Sequence, residues 1–183
     1  MLVSEHIYLR PVEYDDMANL VVWRNDPENW RFFFNAYPLS MAGQKIWFEK
    51  LLSYEAKKLF VICLRNDDEP IGTIGLDAID FKNQRAEYGN VLIGDTRYRG
   101  QGLAKEASII LLNYAFFQLN MNRLSLYVST SNELAIKLYE KLGFVTEGII
   151  REGYFRAGKF NDVVMMGCLR CEYIELTCAC SSA

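Results

Sequence analysis

Residues 97–104, Arg-Tyr-Arg-Gly-Gln-Gly-Leu-Ala, combine the residue types that bind a phosphate group. An apolar stretch ends at Ile93, glycines follow at Gly100 and Gly102, and an amphipathic pattern begins after them. Glycine lets the backbone turn tightly and approach a ligand closely. A helix start presents free N–H groups and the positive end of the helix dipole, which suit an anion. The segment therefore predicts a pyrophosphate cradle, although taken alone it also fits an ordinary strand-to-helix turn with surface arginines.

The spacing of these residues differs from two common nucleotide-binding motifs. A P-loop has the pattern Gly-x4-Gly-Lys-Ser/Thr, and Lys105 does not lie in that register. A dinucleotide fingerprint needs a third glycine at position 105, where the lysine stands. The pattern present is Arg-x-x-Gly-x-Gly, starting at Arg97. Both common motifs are excluded, and the cradle belongs to another class.

A second segment, residues 130–144, has the pattern of an amphipathic helix. Thr130 and Glu133 form a capping-box pattern at its start, and Asn132 lies in its first turn. Tyr139 lies on a stripe next to the apolar one. The four-residue spacing predicts that three leucines form the buried stripe: Leu134, Leu138 and Leu142.

Together the two segments resemble the GNAT superfamily of acyl-CoA N-acyltransferases. The family's pyrophosphate loop, Arg/Gln-x-x-Gly-x-Gly/Ala, is matched by Arg97, Gly100 and Gly102. Its next helix carries Asn-x-x-Ala-x-x-x-Tyr before Gly-Phe, and the matching residues are Asn132, Ala135, Tyr139, Gly143 and Phe144. The resemblance covers most of the chain. Residues 148–163 are similar to the branch with ribosomal-protein, spermidine and amino-sugar acetyltransferases.

The resemblance implies acetyl-CoA as the cosubstrate. In the family, backbone N–H groups beside the central strand hold the cofactor, and the loop takes its pyrophosphate. Asn132 would bond to the pantetheine arm, although a residue at this position also serves as an ordinary helix start. The implied cofactor-binding residues are Val91, Leu92, Ile93, Arg97, Arg99, Gly100, Gln101, Gly102, Leu103, Ala104 and Asn132.

Acetyl transfer from a thioester to an amine needs a neutral amine, donors for the oxyanion and a proton for the thiolate. The resemblance implies direct attack in a ternary complex, with Tyr139 as the general acid; without it, Tyr139 would be a buried aromatic residue. Glu87 is the predicted general base, and it fits a salt-bridged residue of the sheet equally well. Asp77 and Asp80 are weaker alternatives. Some relatives need no dedicated base.

The first two predicted helices, residues 15–25 and 40–54, and the loop between them are predicted to select the acceptor, and residues 23–37 of this region form an unusually aromatic segment. Aromatic walls beside an arginine suit a ring, a base or a sugar nucleotide, and they also pack helices onto sheets. The Trp-Arg-Asn-Asp pattern resembles acetyltransferases of nucleotide-linked amino sugars. The predicted substrate-binding residues are Trp23, Arg24, Asn25, Phe33 and Tyr37.

Three other interpretations of the acceptor and the activity stay open. A polyamine site would require clustered carboxylates, and residues 30–37 contain none. Carboxylates elsewhere in this part of the chain, at Glu28, Glu49 and Glu55, keep this alternative open. A protein or peptide N-terminus is the third acceptor class, because ribosomal-protein acetyltransferases share the tail pattern. A non-catalytic acyl-CoA-binding module is an alternative of another class. The resemblance also allows a homodimer.

Composition favours one domain over residues 1–173, followed by a flexible tail over 174–183. The net charge of −3 gives no reason to expect nucleic acid as a partner. No apolar run approaches the ~20 residues that cross a bilayer, and residues 1–10 lack a signal-peptide pattern, so we expect a cytoplasmic location without membrane contact. One histidine and five cysteines do not suggest a metal site.

The order of elements predicts an α/β (α+β) fold. Residues 85–93, 102–119 and 124–128 read as a strand, a helix and a strand, and further strands precede and follow them. Residues 15–25 and 40–54 read as helices. The sequence therefore predicts a GNAT-like mixed, largely antiparallel central sheet flanked by helices.

Overall fold

A computed structural model describes residues 2–31, 33–35 and 37–181, so Phe32 of the aromatic segment lies outside the described residues. The strands are β1 (Leu2–Val3), β2 (Ile7–Pro11), β3 (Lys58–Leu64), β4 (Pro70–Asp80), β5 (Arg85–Ile93), β6 (Arg123–Ser129), β7 (Val145–Arg156) and β8 (Lys159–Leu169). The helices are α1 (Met17–Asn25), α2 (Pro27–Trp30), α3 (Met41–Leu52), α4 (Leu103–Asn113), α5 (Glu133–Lys141) and α6 (Arg170–Ser181).

The strands form one sheet in the order β1-β2-β3-β4-β5-β6-β8-β7. Strands β5 and β6 are parallel. A parallel pair needs a crossover connection, and helix α4 lies in that connection. The pairs β1–β2, β2–β3, β3–β4, β6–β8 and β7–β8 are antiparallel. The predicted mixed, largely antiparallel sheet with flanking helices is confirmed.

The chain divides into two compact units, and the division passes through β4 and β5. Unit 1 comprises residues 1–77 and 89–112. Its apolar cluster joins α1, α3 and β3, and it buries Trp23 and Phe48 to 7% and 6% exposure. The Trp23 ring packs directly on the backbone of Gly94, so no side chain fits at position 94. Helices α1 and α3 are thereby held by apolar burial.

Unit 2 comprises residues 78–88 and 113–183, and aromatic residues form much of its core. Tyr88 is 1% exposed and makes an edge contact with Tyr139, with 6.0 Å between ring centroids. Phe144 lies 5.4 Å from Tyr88 and 6.1 Å from Tyr139, measured between centroids. The three rings hold α5 against the strands of this unit.

Two features of unit 2 differ from the sequence-based expectations. Leu134 is 82% exposed and Leu142 is 2% exposed, so the predicted leucine stripe is buried only towards the end of α5. The regular spacing set the amphipathic pattern, whereas contact with other elements decided how far along the helix burial extends. Helix α6 continues through Ser181, so most of the segment predicted as a tail is helical.

Among the described residues, no helix has the length and apolar content to span a bilayer.

We expect the free energy of unfolding to fall as the pH rises from 9 to 12. Burial raises the pKa of the Cys168 thiol from 9.0 to about 12, and burial raises that of Tyr173 from 10.0 to about 12. Below pH 9 both states keep these protons, whereas above it only the unfolded chain releases them, which stabilises the unfolded state. The difference at Cys168 corresponds to roughly 4 kcal/mol.

Urea unfolding of the wild type and of Cys168→Ala at pH 8, 9, 10 and 11 tests this expectation. The Cys168→Ala variant should show a clearly shallower loss of stability with pH than the wild type. The matched control is Cys171→Ala, since Cys171 is exposed and should leave the slope unchanged. Parallel pH profiles for the wild type and Cys168→Ala would contradict the burial argument.

Candidate active site

The predicted pyrophosphate loop lies in unit 1, between β5 and α4. Gly100 has φ +74 and Gly102 has φ +81, a left-handed conformation that glycine adopts without strain. The Glu106 N–H donates to the Gly102 carbonyl at 3.1 Å, so α4 begins immediately after this glycine. The N–H groups that precede this bond have no partner within the helix, and the helix dipole adds positive potential there.

The space beside the two glycines is open. A Cβ atom built on Gly100 or Gly102 would meet no other atom within 4 Å. The backbone is therefore open to a ligand on the side where any other residue would place a side chain. Gln101 closes the turn, because its Nε2 donates to the Arg97 carbonyl at 2.9 Å. The loop has the open backbone that the predicted cradle requires.

The guanidinium of Arg97 is engaged by two carboxylates of unit 1. Its Nη2 lies 2.6 Å from Asp95 Oδ2 and 2.5 Å from Glu69 Oε1. The Tyr98 hydroxyl donates to the other oxygen of Glu69 at 2.6 Å. Hydrogen bonding from Arg97 holds the pKa of Asp95 below its usual range. The charge of Arg97 is thus offset within the loop, and its role towards pyrophosphate stays a prediction.

Arg99 connects the loop to the buried Asn29 of α2. Its Nη2 donates to Asn29 Oδ1, and its Nε donates to the Ile93 carbonyl at 3.3 Å. Asn29 is 3% exposed, and its Nδ2 donates to the carbonyls of Trp23 and Gly94 at 2.9 and 3.3 Å. This network fixes the position of the loop through a fully engaged side-chain amide. It also makes Arg99 a structural partner of the loop, in addition to its predicted contact with the cofactor.

The predicted strand residues Val91, Leu92 and Ile93 are half-buried at the end of β5. Just before them, Asn90 has φ +55, a conformation that non-glycine residues seldom adopt and that often marks functional sites. Its carbonyl accepts from Thr73 Oγ1 at 2.9 Å, and its Nδ2 donates to Asp77 at 2.6 Å. Sequence reasoning missed Asn90, although the Gly-Asn pair within an apolar strand signals an irregularity there.

In unit 2, Tyr139 has the properties of a protonated donor. Burial raises the pKa of its phenol from 10.0 to about 12, so the proton is retained at neutral pH. Its hydroxyl makes no hydrogen bond with any residue that the structure describes.

Asn132 caps α5, and its Oδ1 accepts from the Ala135 N–H at 3.3 Å, so Asn132 and not Thr130 is the helix cap.

The carboxylates predicted as bases occupy different surroundings. Glu87 is half-buried on β5, opposite Ser125 of β6, while its neighbours Ala86 and Tyr88 are buried. In unit 1, Asp77 is paired with Lys57 at 2.7 Å. In unit 2, Asp80 accepts hydrogen bonds from Asn83, and these bonds lower the pKa of Asp80. The roles of all three in proton transfer stay predictions.

A cavity of about 480 Å³ opens in unit 1 between α1, α3 and the strands. Its apolar wall includes Trp47, Leu20 and Leu59. No aspartate or glutamate is among its lining residues within the described chain. The polar side chains that line it are Arg24, Asn35, Gln44, Lys57, Thr73 and Asn90.

Of the five predicted acceptor residues, Arg24 alone is among the described lining residues of this cavity. Trp23 belongs to the apolar core, and Phe33 supports Arg24, whose Cζ lies 3.8 Å from the ring centroid. Asn25 exchanges two hydrogen bonds with the Leu39 backbone, at 2.7 and 2.8 Å, and Tyr37 is 81% exposed. None of these four residues is among the described lining residues of the cavity, and their role in binding the acceptor stays a prediction.

The comparison with known proteins agrees with this arrangement. Residues 6–145 match the family model described as "Acetyltransferase (GNAT) domain". The chain belongs to the GNAT acetyltransferase family. The resemblance drawn from the loop and the α5 motif is thereby confirmed.

This GNAT protein is similar to several N-acetyltransferases over nearly their full length. The uncharacterized N-acetyltransferase p20 of Bacillus licheniformis is 36% identical over 176 residues, which cover 94% of this chain and 97% of that protein. Spermidine N(1)-acetyltransferase of Escherichia coli K12 is 28% identical over 171 residues, covering 93% and 90%. The crystal structure of Vibrio cholerae spermidine N-acetyltransferase in complex with CoA and spermine has a TM-score of 0.85, with 27% identity and coverage of 92% and 98%.

These findings establish the reaction class of the chain. It is an acetyl-CoA-dependent N-acetyltransferase, as the sequence predicts. Acetyl-CoA supplies the acetyl group as a thioester. The described residues contain no group of three or more metal-ligating side chains.

Proposed function

We propose that this N-acetyltransferase acetylates the primary amine of a small molecule that binds in the cavity of unit 1. The observation that carries the proposal is the cavity itself, whose 480 Å³ suits a small acceptor and whose lining includes Arg24 and Gln44, two side chains that make no hydrogen bond within the described chain. Its lining is supplied by α1, α3, the segment 35–40 and the strands. Part of this lining, from α1, α3 and the segment between them, lies in the region that the sequence predicts to select the acceptor.

We assign the proton donor for the leaving thiolate to Tyr139, whose phenol is protonated and whose hydroxyl has no hydrogen-bond partner in the described chain. The backbone of residues 100–104 and the start of α4 would hold the pyrophosphate group. Asn132 would donate from Nδ2 to the cofactor arm, since its Oδ1 caps α5. Glu87 remains the proposed base for the amine.

The class of acceptor has separate lines of support. The relatives favour the polyamine alternative over the nucleotide-linked amino sugar, because spermidine acetyltransferases are among them, together with a protein described as "Putative ribosomal N-acetyltransferase". The cavity favours an amine that also carries an anionic group, because its described lining holds two cationic side chains and no carboxylate. A homodimer stays a prediction, which light scattering on the purified protein would test.

A panel of amines tests the proposal. CoA release from acetyl-CoA should be measured with spermidine, spermine, small amines that carry a carboxylate or phosphate, and peptides with a free N-terminus. Turnover of any small amine supports the proposed function, whereas turnover of peptides alone contradicts it. If none of the amines causes CoA release and acetyl-CoA still raises the melting temperature, the result would favour the acyl-CoA-binding module.

A further inference from the structure

We propose that the unit 1 cavity contains a subsite for an anionic group, formed by Arg24, Gln44 and the first turn of α3. The acceptor is then a primary amine that also carries a carboxylate or a phosphate ester. The assignment of this ligand as the acceptor rests on the proposed function, whereas the anion subsite itself does not.

The first observation is the state of Arg24. Its guanidinium is partly buried over the Phe33 ring, and burial lowers its pKa. No hydrogen bond or carboxylate reaches its nitrogens from any residue that the structure describes. Arginine keeps its charge in proteins, and a desolvated cation without a counter-charge is costly. The stacked ring compensates part of this cost, and an anionic ligand in the cavity would supply the missing partner.

The second observation is Gln44, on the first turn of α3. The residue is only 7% exposed and lines the same cavity. Its side-chain amide makes no hydrogen bond within the described chain, and its polar atoms are not fully enclosed by protein, so they are open to a ligand in the cavity. Because the amide of glutamine carries two N–H donors, it can donate to a ligand oxygen.

The third observation is the orientation of the start of α3 towards the cavity. Leu39, Ser40 and Gly43 line the cavity, and Ser40 caps this 12-residue helix by accepting from the Gly43 N–H at 3.1 Å. The positive end of the helix dipole therefore lies at the cavity wall. A helix start of this kind stabilises a carboxylate or a phosphate.

The charges of the remaining lining residues point the same way. Lys57 is the second cation of the lining, and its Nζ is paired with Asp77 at 2.7 Å. The other oxygen of Asp77 accepts from Asn90 at 2.6 Å, so this carboxylate is already engaged by two side chains. A polyamine would meet cationic groups without a free carboxylate in the described lining. Like charges in a desolvated site reduce affinity, so the cavity selects against a polycation.

Matched pairs of amines isolate the anionic group. Lysine and cadaverine differ by a carboxylate, and phosphoethanolamine and ethanolamine differ by a phosphate. We expect kcat/KM to be about 10- to 100-fold higher for the anionic member of at least one pair, the range for one charge-assisted hydrogen-bonded contact. The pair that shows the preference distinguishes a carboxylate from a phosphate. Equal rates within both pairs, or a preference for cadaverine and spermidine, would overturn the proposal.

The variant Arg24→Gln identifies the residue that causes the preference. It should remove most of the difference within the pair, whereas Arg24→Lys should keep part of it. The matched control is Arg31→Gln, at an exposed arginine paired with Glu28 that is not among the lining residues of the cavity. If Arg24 had only a structural role, Arg24→Gln would lower kcat/KM equally for both amines of a pair. That result would contradict the assignment.

Direct binding separates the subsite from the activity. Titration calorimetry with inorganic phosphate should be performed on protein saturated with CoA, which occupies the pyrophosphate loop. We expect saturable binding to the wild type and at least 10-fold weaker binding to Arg24→Gln, because the variant lacks the charge-assisted contact. Binding without turnover of any amine would leave the subsite standing and refute the proposed function. No difference between the wild type and Arg24→Gln would refute the subsite.

Discussion

Replacing Gly102 by valine is expected to weaken acetyl-CoA binding by about 100-fold or more. Loss of two charge-assisted hydrogen bonds to a phosphate would account for roughly 3–6 kcal/mol, which corresponds to ~10²–10⁴ in Kd. A side chain at position 102 would occupy the open space beside the loop, where a Cβ meets no protein atom within 4 Å. The substitution therefore fills the space that the ligand would occupy, whereas it does not clash with other protein atoms at the Cβ position.

The same substitution also strains the backbone, and a second glycine controls for this effect. Gly102 has φ +81, and a β-branched residue is unfavourable there. Gly158, in the turn between β7 and β8, has φ +80 and likewise no atom within 4 Å of its Cβ position. Gly158→Val should lower the melting temperature to a similar degree and leave acetyl-CoA affinity within about twofold.

Titration calorimetry of both valine variants with acetyl-CoA measures this difference. The expected result is undetectable or strongly weakened binding for Gly102→Val and normal binding for Gly158→Val. Wild-type affinity in a folded Gly102→Val protein would show that the pyrophosphate does not lie against these glycines.

Replacing Tyr139 by phenylalanine is expected to lower kcat by about 10²- to 10⁴-fold, the contribution of a positioned general acid. The variant keeps the ring, which contacts Tyr88 and Phe144 at centroid distances of 6.0 and 6.1 Å, so the fold of unit 2 should be retained. Only the hydroxyl and its proton are lost. Acetyl-CoA affinity should therefore change little.

The pH dependence gives an independent view of the same group. Because burial raises the pKa of Tyr139 to about 12, the phenol stays protonated as the pH rises from 8 to 10. The wild-type kcat should show no loss of an acid in this range. A descending limb that begins near pH 8 or 9 and disappears in Tyr139→Phe would contradict the raised pKa.

The control for the lost hydroxyl is Tyr127→Phe, at a residue of β6 that is 40% exposed. It should keep wild-type kcat with an accepted amine at saturating acetyl-CoA. Full activity of Tyr139→Phe under the same conditions would exclude Tyr139 as the acid. Loss of acetyl-CoA affinity in step with kcat would instead indicate a binding role.

The sequence was informative where function depends on local backbone rules. The glycines at 100 and 102 adopt the positive φ that their residue type favours, and α4 begins directly after them. The motif around Asn132 and Tyr139 likewise appears as a capped helix followed by a glycine stop. Short-range spacing identified the family and the cofactor because these features involve neighbours along the chain.

The acceptor side could not be predicted in the same way. Three adjacent residues have different surroundings. Trp23 packs in the apolar core, Arg24 lines the cavity, and Asn25 bonds to the Leu39 backbone. Gln44 is an unremarkable polar residue in the sequence, and its burial without a partner depends on how α3 packs. Residues from distant parts of the chain build this cavity, so composition and spacing did not reveal its charge.

The sequence by itself thus determined the fold family and the cosubstrate, and it predicted the conformation of the glycine loop, because glycine conformation and helix periodicity are local properties. The tertiary structure alone decided which charges remain free. Arg97 is offset by Asp95 and Glu69, and Lys57 by Asp77, whereas Arg24 has no counter-charge in the described chain. Pairing between residues far apart in the sequence sets the electrostatic character of the unit 1 cavity, and only the folded chain brings those residues together.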